Sequence, residues 1–184
     1  EISSNTISTD QVICENTSAA ELTGLTPQDG DGSTYIYQWQ DSVFNTDNWN
    51  DISTSGDQKD YSPGILTDSV KYRRIVFSGS QNTCQSISNE VTVSVEPAIS
   101  NNLLEVFDDS TCLGTQPAAL DATDNPAGGN GVNSFNWEES IDNLSWSQAP
   151  GTFNLADYQP GNLSIPMYYR RIVNSGTCLD TTVS

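Results

Sequence analysis

Apolar and polar positions alternate with a period of two along much of this chain. Tyr35, Tyr37 and Trp39 fall on one side of an extended segment, and Ile36, Gln38 and Gln40 fall on the other. That is the placement a strand imposes on successive side chains. Val91, Val93 and Val95 alternate with Thr92 and Ser94, which predicts a half-buried antiparallel strand. Clusters of Gly, Asn, Asp and Ser at 28–33, 45–50, 53–58 and 125–131 predict turns. No window shows the recurrence of an amphipathic helix, so the chain is expected to be all-β.

The pattern also repeats itself. Tyr37-Gln-Trp39-Gln-Asp-Ser42 aligns with Phe135-Asn-Trp137-Glu-Glu-Ser140 at a shift of 98. Trp49 meets Trp146, Tyr61-Ser-Pro63-Gly64 meets Tyr158-Gln-Pro160-Gly161, and Tyr72-Arg-Arg-Ile-Val76 meets Tyr169-Arg-Arg-Ile-Val173, all at 97. Cys14 meets Cys112 at 98, and Cys84 meets Cys178 at 94 after a shorter loop. Landmarks in one order, with length changes confined to turn-rich stretches, mark two copies of one domain. The expected domains are 1–96 and 97–184, divided at Glu96-Pro97, where proline ends a strand ladder and stiffens the joint. The sequence stops at Thr-Val-Ser184, so the second copy is expected to lack most of its last strand and the chain to be an excerpt of a longer one.

The cysteine, tryptophan, cysteine order predicts two tandem immunoglobulin-like β-sandwiches. Trp39 follows Cys14, and Trp137 follows Cys112, by 25 residues, a wider spacing than in antibody domains, so the bridge is expected to join strand ends and not to be the central pin. Four cysteines allow three pairings. The repeat selects Cys14–Cys84 and Cys112–Cys178, one bridge per domain, each worth about 4 kcal/mol in the chain-entropy description. Bridges place the chain in an oxidising, extracytoplasmic compartment; four free thiols in a cytosolic protein are the alternative.

Charge narrows the function. Six Lys and Arg stand against 24 Asp and Glu, with no His, for a net charge of −18. Residues 1–96 hold 14 acids and 4 bases, and the remainder 10 and 2, so the acidity belongs to the module. A row of phosphates could not be neutralised, which excludes ordinary nucleic-acid binding. Anionic lipid is excluded on the same ground, and no apolar run is long enough for a membrane-spanning helix. Without histidine, with no Gly-x-Ser-x-Gly elbow and no phosphate loop, the chain is not expected to be an enzyme. Glu138-Glu139 could suggest glycoside hydrolysis, but neighbours on a strand point apart.

The remaining chemistry-bearing residues each have a plain structural reading. Trp39 and Trp137 are expected to plug the core, while Trp49 and Trp146 are expected half-buried, the alternative being a shelf for a sugar ring. In Tyr72-Arg73-Arg74 and Tyr169-Arg170-Arg171, one arginine of each pair faces inward and one outward. The structural reading lays a guanidinium on an aromatic ring or beside a carboxylate; the functional alternative is an anion clamp. Asp29-Gly-Asp31-Gly32 is the best metal candidate, yet it lacks the further oxygens a calcium loop needs, and its counterpart 126–131 has no carboxylate. A turn accounts for both copies. No cofactor is expected beyond diffuse, nonspecific association of Ca²⁺ with the acidic surface.

The order Val-Ile-Cys14, Tyr-Gln-Trp39-Gln-Asp-Ser, Trp49-Asn-Asp-Ile52, Tyr61-Ser-Pro-Gly-Ile-Leu66, Tyr72-Arg-Arg-Ile-Val-Phe-Ser-Gly79, Cys84 and Ser88-Asn-Glu-Val-Thr-Val93 resembles the tandem repeats of giant Bacteroidetes cell-surface adhesins, including SprB-like gliding-motility adhesins exported by type IX secretion. The second copy departs from it, with Asn162 in place of Ile65. The resemblance implies a structural or adhesive filament segment on the bacterial cell surface. Its partners would be neighbouring repeats and a surface polysaccharide or substratum. It implies no catalytic residue.

Overall fold

A computed structural model describes residues 1–31, 34–105, 110–122 and 124–183. Gly32 of the candidate metal turn lies outside the described residues. Two compact units divide the chain at Glu1–Val95 and Glu96–Ser184. Glu96 belongs with the second unit for a visible reason. Its Oε2 accepts the Thr177 backbone N–H at 2.7 Å and the Thr177 hydroxyl at 2.8 Å.

The first ten strands, the last of which runs one residue past the division, are β1 (Ile2–Ser3), β2 (Gln11–Cys14), β3 (Thr17–Ser18), β4 (Gln28–Asp29), β5 (Tyr35–Val43), β6 (Asn50–Asp51), β7 (Ile65–Leu66), β8 (Val70–Ser78), β9 (Cys84–Ile87) and β10 (Val91–Glu96). The main sheet runs β2-β10-β8-β5-β6, with β9 also on β8. β5 pairs with β8 over its whole length, from Tyr35 opposite Ser78 to Val43 opposite Val70. The other edge of β8 is shared. Its first residues pair with β10, and Ile75 to Ser78 pair with β9. Facing this sheet are the short pairs β1-β4 and β3-β7 and the isolated bridges Ile7–Gly24 and Leu22–Tyr61. Among the described residues the only helical turn is the 3₁₀ segment Ser80–Asn82.

The second unit repeats the plan with β11 (Leu104–Glu105), β12 (Asp121–Ala122), β13 (Asn133–Ser140), β14 (Ser147–Gln148), β15 (Tyr168–Ser175) and β16 (Cys178–Val183). Its sheet runs β14-β13-β15-β16. β16 takes the place of β9, setting Cys178 opposite Ser175 as β9 sets Cys84 opposite Ser78. No described residue takes the place of β10.

Alternation along β5 and β8 decides which side chains are interior. Trp39 is fully buried, and Ile7, Leu22, Tyr72, Val91 and Val93 join it. Trp137, Ala149, Tyr158 and Tyr169 form the matching cluster. Each tryptophan is fixed by its indole N–H, which donates to the Gln58 carbonyl at 3.0 Å and the Leu155 carbonyl at 2.9 Å respectively. A tyrosine continues each stack, with ring centroids 5.7 Å apart for Trp39–Tyr61 and 5.5 Å for Trp137–Tyr158. Removing so large a ring from water is worth on the order of 5 kcal/mol, enough to dominate a domain of this size.

The cysteines depart from the expected pairing. Cys84 and Cys112 are free thiols, whereas Cys14 and Cys178 are disulfide-bonded, so neither Cys14–Cys84 nor Cys112–Cys178 forms. The two cysteines of a repeat sit at opposite ends of its central strand. Cys84 lies opposite Ser78, the last residue of β8. Cys14 lies at the other end, where Asn16 donates to the Leu66 carbonyl at 2.9 Å, upstream of the first residue of β8. In the second unit Cys178 faces Ser175, the last residue of β15, and Gly114, two residues after Cys112, donates to the Leu163 carbonyl at 2.6 Å. Strands of this length separate the ends by about 25 Å, whereas a bridge needs Cα atoms within about 7 Å.

Candidate functional site

Arg74 and Arg171, the inward members of the two Tyr-Arg-Arg motifs, are completely buried. Arg74 lies opposite Trp39 in the β5–β8 ladder, and Arg171 opposite Trp137 in the β13–β15 ladder. Their guanidinium donors are consumed locally. Arg74 Nε and Nη2 donate to Asn5 Oδ1 at 3.1 and 2.9 Å, Nη1 donates to the Lys59 carbonyl at 2.8 Å, and Nη2 also reaches the Leu25 carbonyl at 2.9 Å. Arg171 donates to Asn102 Oδ1 and the Ala156 carbonyl, each at 2.9 Å, and to the Leu103 carbonyl at 3.3 Å. Tyr37 lies under one guanidinium at 5.1 Å and Phe135 under the other at 5.6 Å. Burial lowers the pKa of both arginines, and the ring of acceptors is what permits a cation there. Nothing in this arrangement is left to meet an anionic ligand.

The outward arginines form a second pair of equivalent sites. Arg73 Nε donates to Gln40 Oε1 at 2.7 Å, and its guanidinium covers the Trp49 ring at 4.1 Å. Lys71 approaches the same ring at 5.3 Å while donating to Asp47 at 2.7 Å and Glu90 at 3.2 Å. The bond to Asp47 raises the Lys71 pKa and lowers that of Asp47. In the second unit Arg170 lies over Trp146 at 4.4 Å and pairs with Glu138 at 2.5 Å. Glu138 stands where the first unit has Gln40, so one geometry is held by a neutral acceptor in one copy and a carboxylate in the other. Both tryptophans are half-buried, and each has a ring face occupied by a cation. Glu139 sits next along β13, opposite Tyr169. It therefore faces away from Glu138 and forms no facing carboxylate pair with it.

Asp29 and Asp31 accept from different serines. The Ser3 hydroxyl donates to Asp29 at 2.5 Å, and the Ser78 hydroxyl donates to Asp31 at 2.5 Å. The second unit keeps the Ser78 contact with a neutral partner, Ser175 meeting Asn130 at 3.2 Å. The shared element is a buried serine at the end of the central strand that pins a turn. Gly30 and Gly129 explain the close approach. Both have positive φ, and a Cβ would fall 2.7 Å from the Ser78 hydroxyl in one case and 2.3 Å from the Ser175 side chain in the other.

Residue patterning leaves Asn5, Asn102, Ser78 and Ser175 without a role, although each asparagine precedes its arginine by 69 residues in both copies. Two surface hollows of about 420 and 440 Å³, one walled by Thr6–Asp10 with Asn89–Val91 and the other by Glu21, Ser55 and Gln58–Asp60, contain neither a tryptophan nor an arginine.

A family model described as Domain of unknown function (DUF8696) matches residues 3–97 and 107–184. No curated protein matches the chain. Among solved structures, Drosophila OTK extracellular domains 3-5 align over 99% of this chain and 61% of theirs, with 13% identity and a TM-score of 0.54. The chain thus spans less than two thirds of that structure. Sidekick-1 immunoglobulin domains 1-5 align over 100% of this chain and 38% of theirs, with 10% identity and a TM-score of 0.43. The likeness to OTK is one of fold: tandem immunoglobulin-like β-sandwiches.

Proposed function

We propose, from the premise that this chain belongs to the family of the domain of unknown function DUF8696, that it is a non-enzymatic structural and adhesive segment of a large bacterial cell-surface filament protein of the gliding-motility adhesin kind. The observation that supports this reading most directly is what the two copies share. The buried arginine, its asparagine acceptor, the tryptophan–tyrosine stack and the serine-pinned turn recur one for one, and all of them hold shape. The outward Arg73–Trp49 and Arg170–Trp146 contacts also recur, while the residues around them differ between copies: Gln40 against Glu138, Lys71 against Tyr168, and at the turn Asp31 against Asn130. A repeat kept for load-bearing would show this division, whereas a repeat kept for one ligand would hold its exposed side chains constant.

The disposition of charge favours the same reading. The arginines are spent on asparagine, glutamine, glutamate and aromatic partners, Lys71 on two carboxylates, and Lys59 lies 3.9 Å from Asp60. The surface left over is acidic and would keep long arrays soluble and apart. The disulfide-bonded state of Cys14 and Cys178 suits an extracellular setting, and no described helix is long and apolar enough to cross a membrane. The cations lying on Trp49 and Trp146 weigh against a sugar-stacking role. Pulled from its ends under reducing conditions, the chain is expected to extend in two separate steps of roughly 300 Å each. A single gradual extension at negligible force would sink the load-bearing reading. Binding on a glycan array that Trp49→Ala abolishes would replace it with a carbohydrate-binding role.

A further inference from the structure

The four cysteines fall into two structural types. Cys84 and Cys178 stand opposite the buried serines that end the central strands, at Ser78 and Ser175. Cys14 and Cys112 stand at the opposite end, each with its carbonyl accepting a threonine hydroxyl three residues on, Thr17 and Thr115, at 2.6 Å. One member of each type is disulfide-bonded, and one member of each type is free. Local structure therefore does not decide which sulfur is bonded, since equivalent sites differ. Pairing within a repeat is ruled out by the length of the central strand. Cys112 is exposed and Cys84 partly so, so both free thiols can reach a partner outside their own domain.

We propose that Cys84 and Cys112 are end-to-end coupling sites, and that their partner is a further copy of this repeat presenting a cysteine of the opposite type. Cys84 would take the Cys112-type sulfur of one neighbour, and Cys112 would take the Cys84-type sulfur of another. The oxidant is a low-molecular-weight disulfide. A Cys84 thiolate attacks oxidised glutathione and releases one glutathione thiol. The Cys112 thiolate of the second copy then attacks the mixed disulfide at the Cys84 sulfur and releases the other. Two protein thiols are oxidised to one disulfide, one glutathione disulfide is reduced to two thiols, and the two protein thiol protons end on the departing glutathione sulfurs. This extends the filament reading and is tested apart from it, because failure of coupling leaves the two-step extension under force unaffected.

The test uses the intact chain at high concentration in a buffer of oxidised and reduced glutathione. The wild type is expected to form a ladder of oligomers on non-reducing gels that dithiothreitol collapses, with peptide mass spectrometry joining the Cys84 peptide to the Cys112 peptide. Cys84→Ser alone and Cys112→Ser alone are expected to stay monomeric, and their equimolar mixture is expected to stop at dimer. Wild-type protein alkylated beforehand with iodoacetamide should give no ladder, a control that involves no substitution. A wild type that stays monomeric, a dimer of either single variant through like sulfurs, or a Cys84–Cys112 bond closed within one chain would each overturn the proposal.

Discussion

At the scale of single residues, the buried guanidinium is the costliest group in each repeat to leave without partners. Replacing Asn5 by Leu removes the acceptor of two Arg74 donors in a dry interior, and hydrogen bonds to charged groups are worth about 1.5–3 kcal/mol each. Asn5→Leu is therefore expected to destabilise the first repeat by about 3 kcal/mol in urea titration. Adding Arg74→Met should recover much of that loss, since a missing pair costs less than a stranded charge. Three other residues tie stability to pH. Backbone N–H groups of Ser145 and Leu144, with the Ser140 hydroxyl, lower the Asp142 carboxyl to about 2. An unfolded chain returns it to its ordinary value, so its stabilisation is complete above about pH 4 and fades as the pH falls toward 2. Burial pushes the Tyr169 hydroxyl up to about 12, and Tyr72 is raised by the same cause. Their stabilisation is complete below about pH 10 and is lost as the pH rises through the raised values. Thermal melts across pH should show both shoulders. Asp142→Asn should flatten the acid one, and Tyr169→Phe the alkaline one.

At the scale of elements, the turn before β13 is held by contact as much as by backbone preference. Gly129 and Gly131 both have positive φ, but only Gly129 would drive a Cβ into Ser175. Gly131→Ala is expected to cost about 1 kcal/mol of backbone strain. Gly129→Ala should cost distinctly more, and chemical denaturation of the two variants compares them directly. The alternation of Tyr35, Tyr37 and Trp39 was enough to place β5 and its buried face, and alternation through Tyr72-Arg73-Arg74 required one arginine in and one out. The acceptor was harder to see. Asn5 lies in a polar stretch with no strand pattern, and only its equivalence to Asn102 marks it. The cysteine pairing was misread for a related reason. Self-comparison shows which positions correspond but not which are near. The 25-residue interval from cysteine to tryptophan, already too wide for a central pin, was the one trace in the sequence that the sulfurs of a repeat lie apart.

At the scale of the whole molecule, a net charge of −18 works against any compact state. Moving from 10 to 150 mM salt shortens the screening length from about 30 to about 8 Å. The melting temperature is expected to rise by several degrees over that interval, and a chaotrope-free salt series in calorimetry measures it. If the midpoint stays flat, repulsion within the acidic surface contributes nothing to the fold. The docking of Glu96 onto Thr177 and of Asn102 onto Arg171 has a practical corollary for anyone who shuffles these modules. A transplantable cassette for the second module has to open at or before Glu96. A cut placed a few residues later, inside what looks like disposable spacer, would discard the keystone of the next bead and deliver a fragment that cannot close.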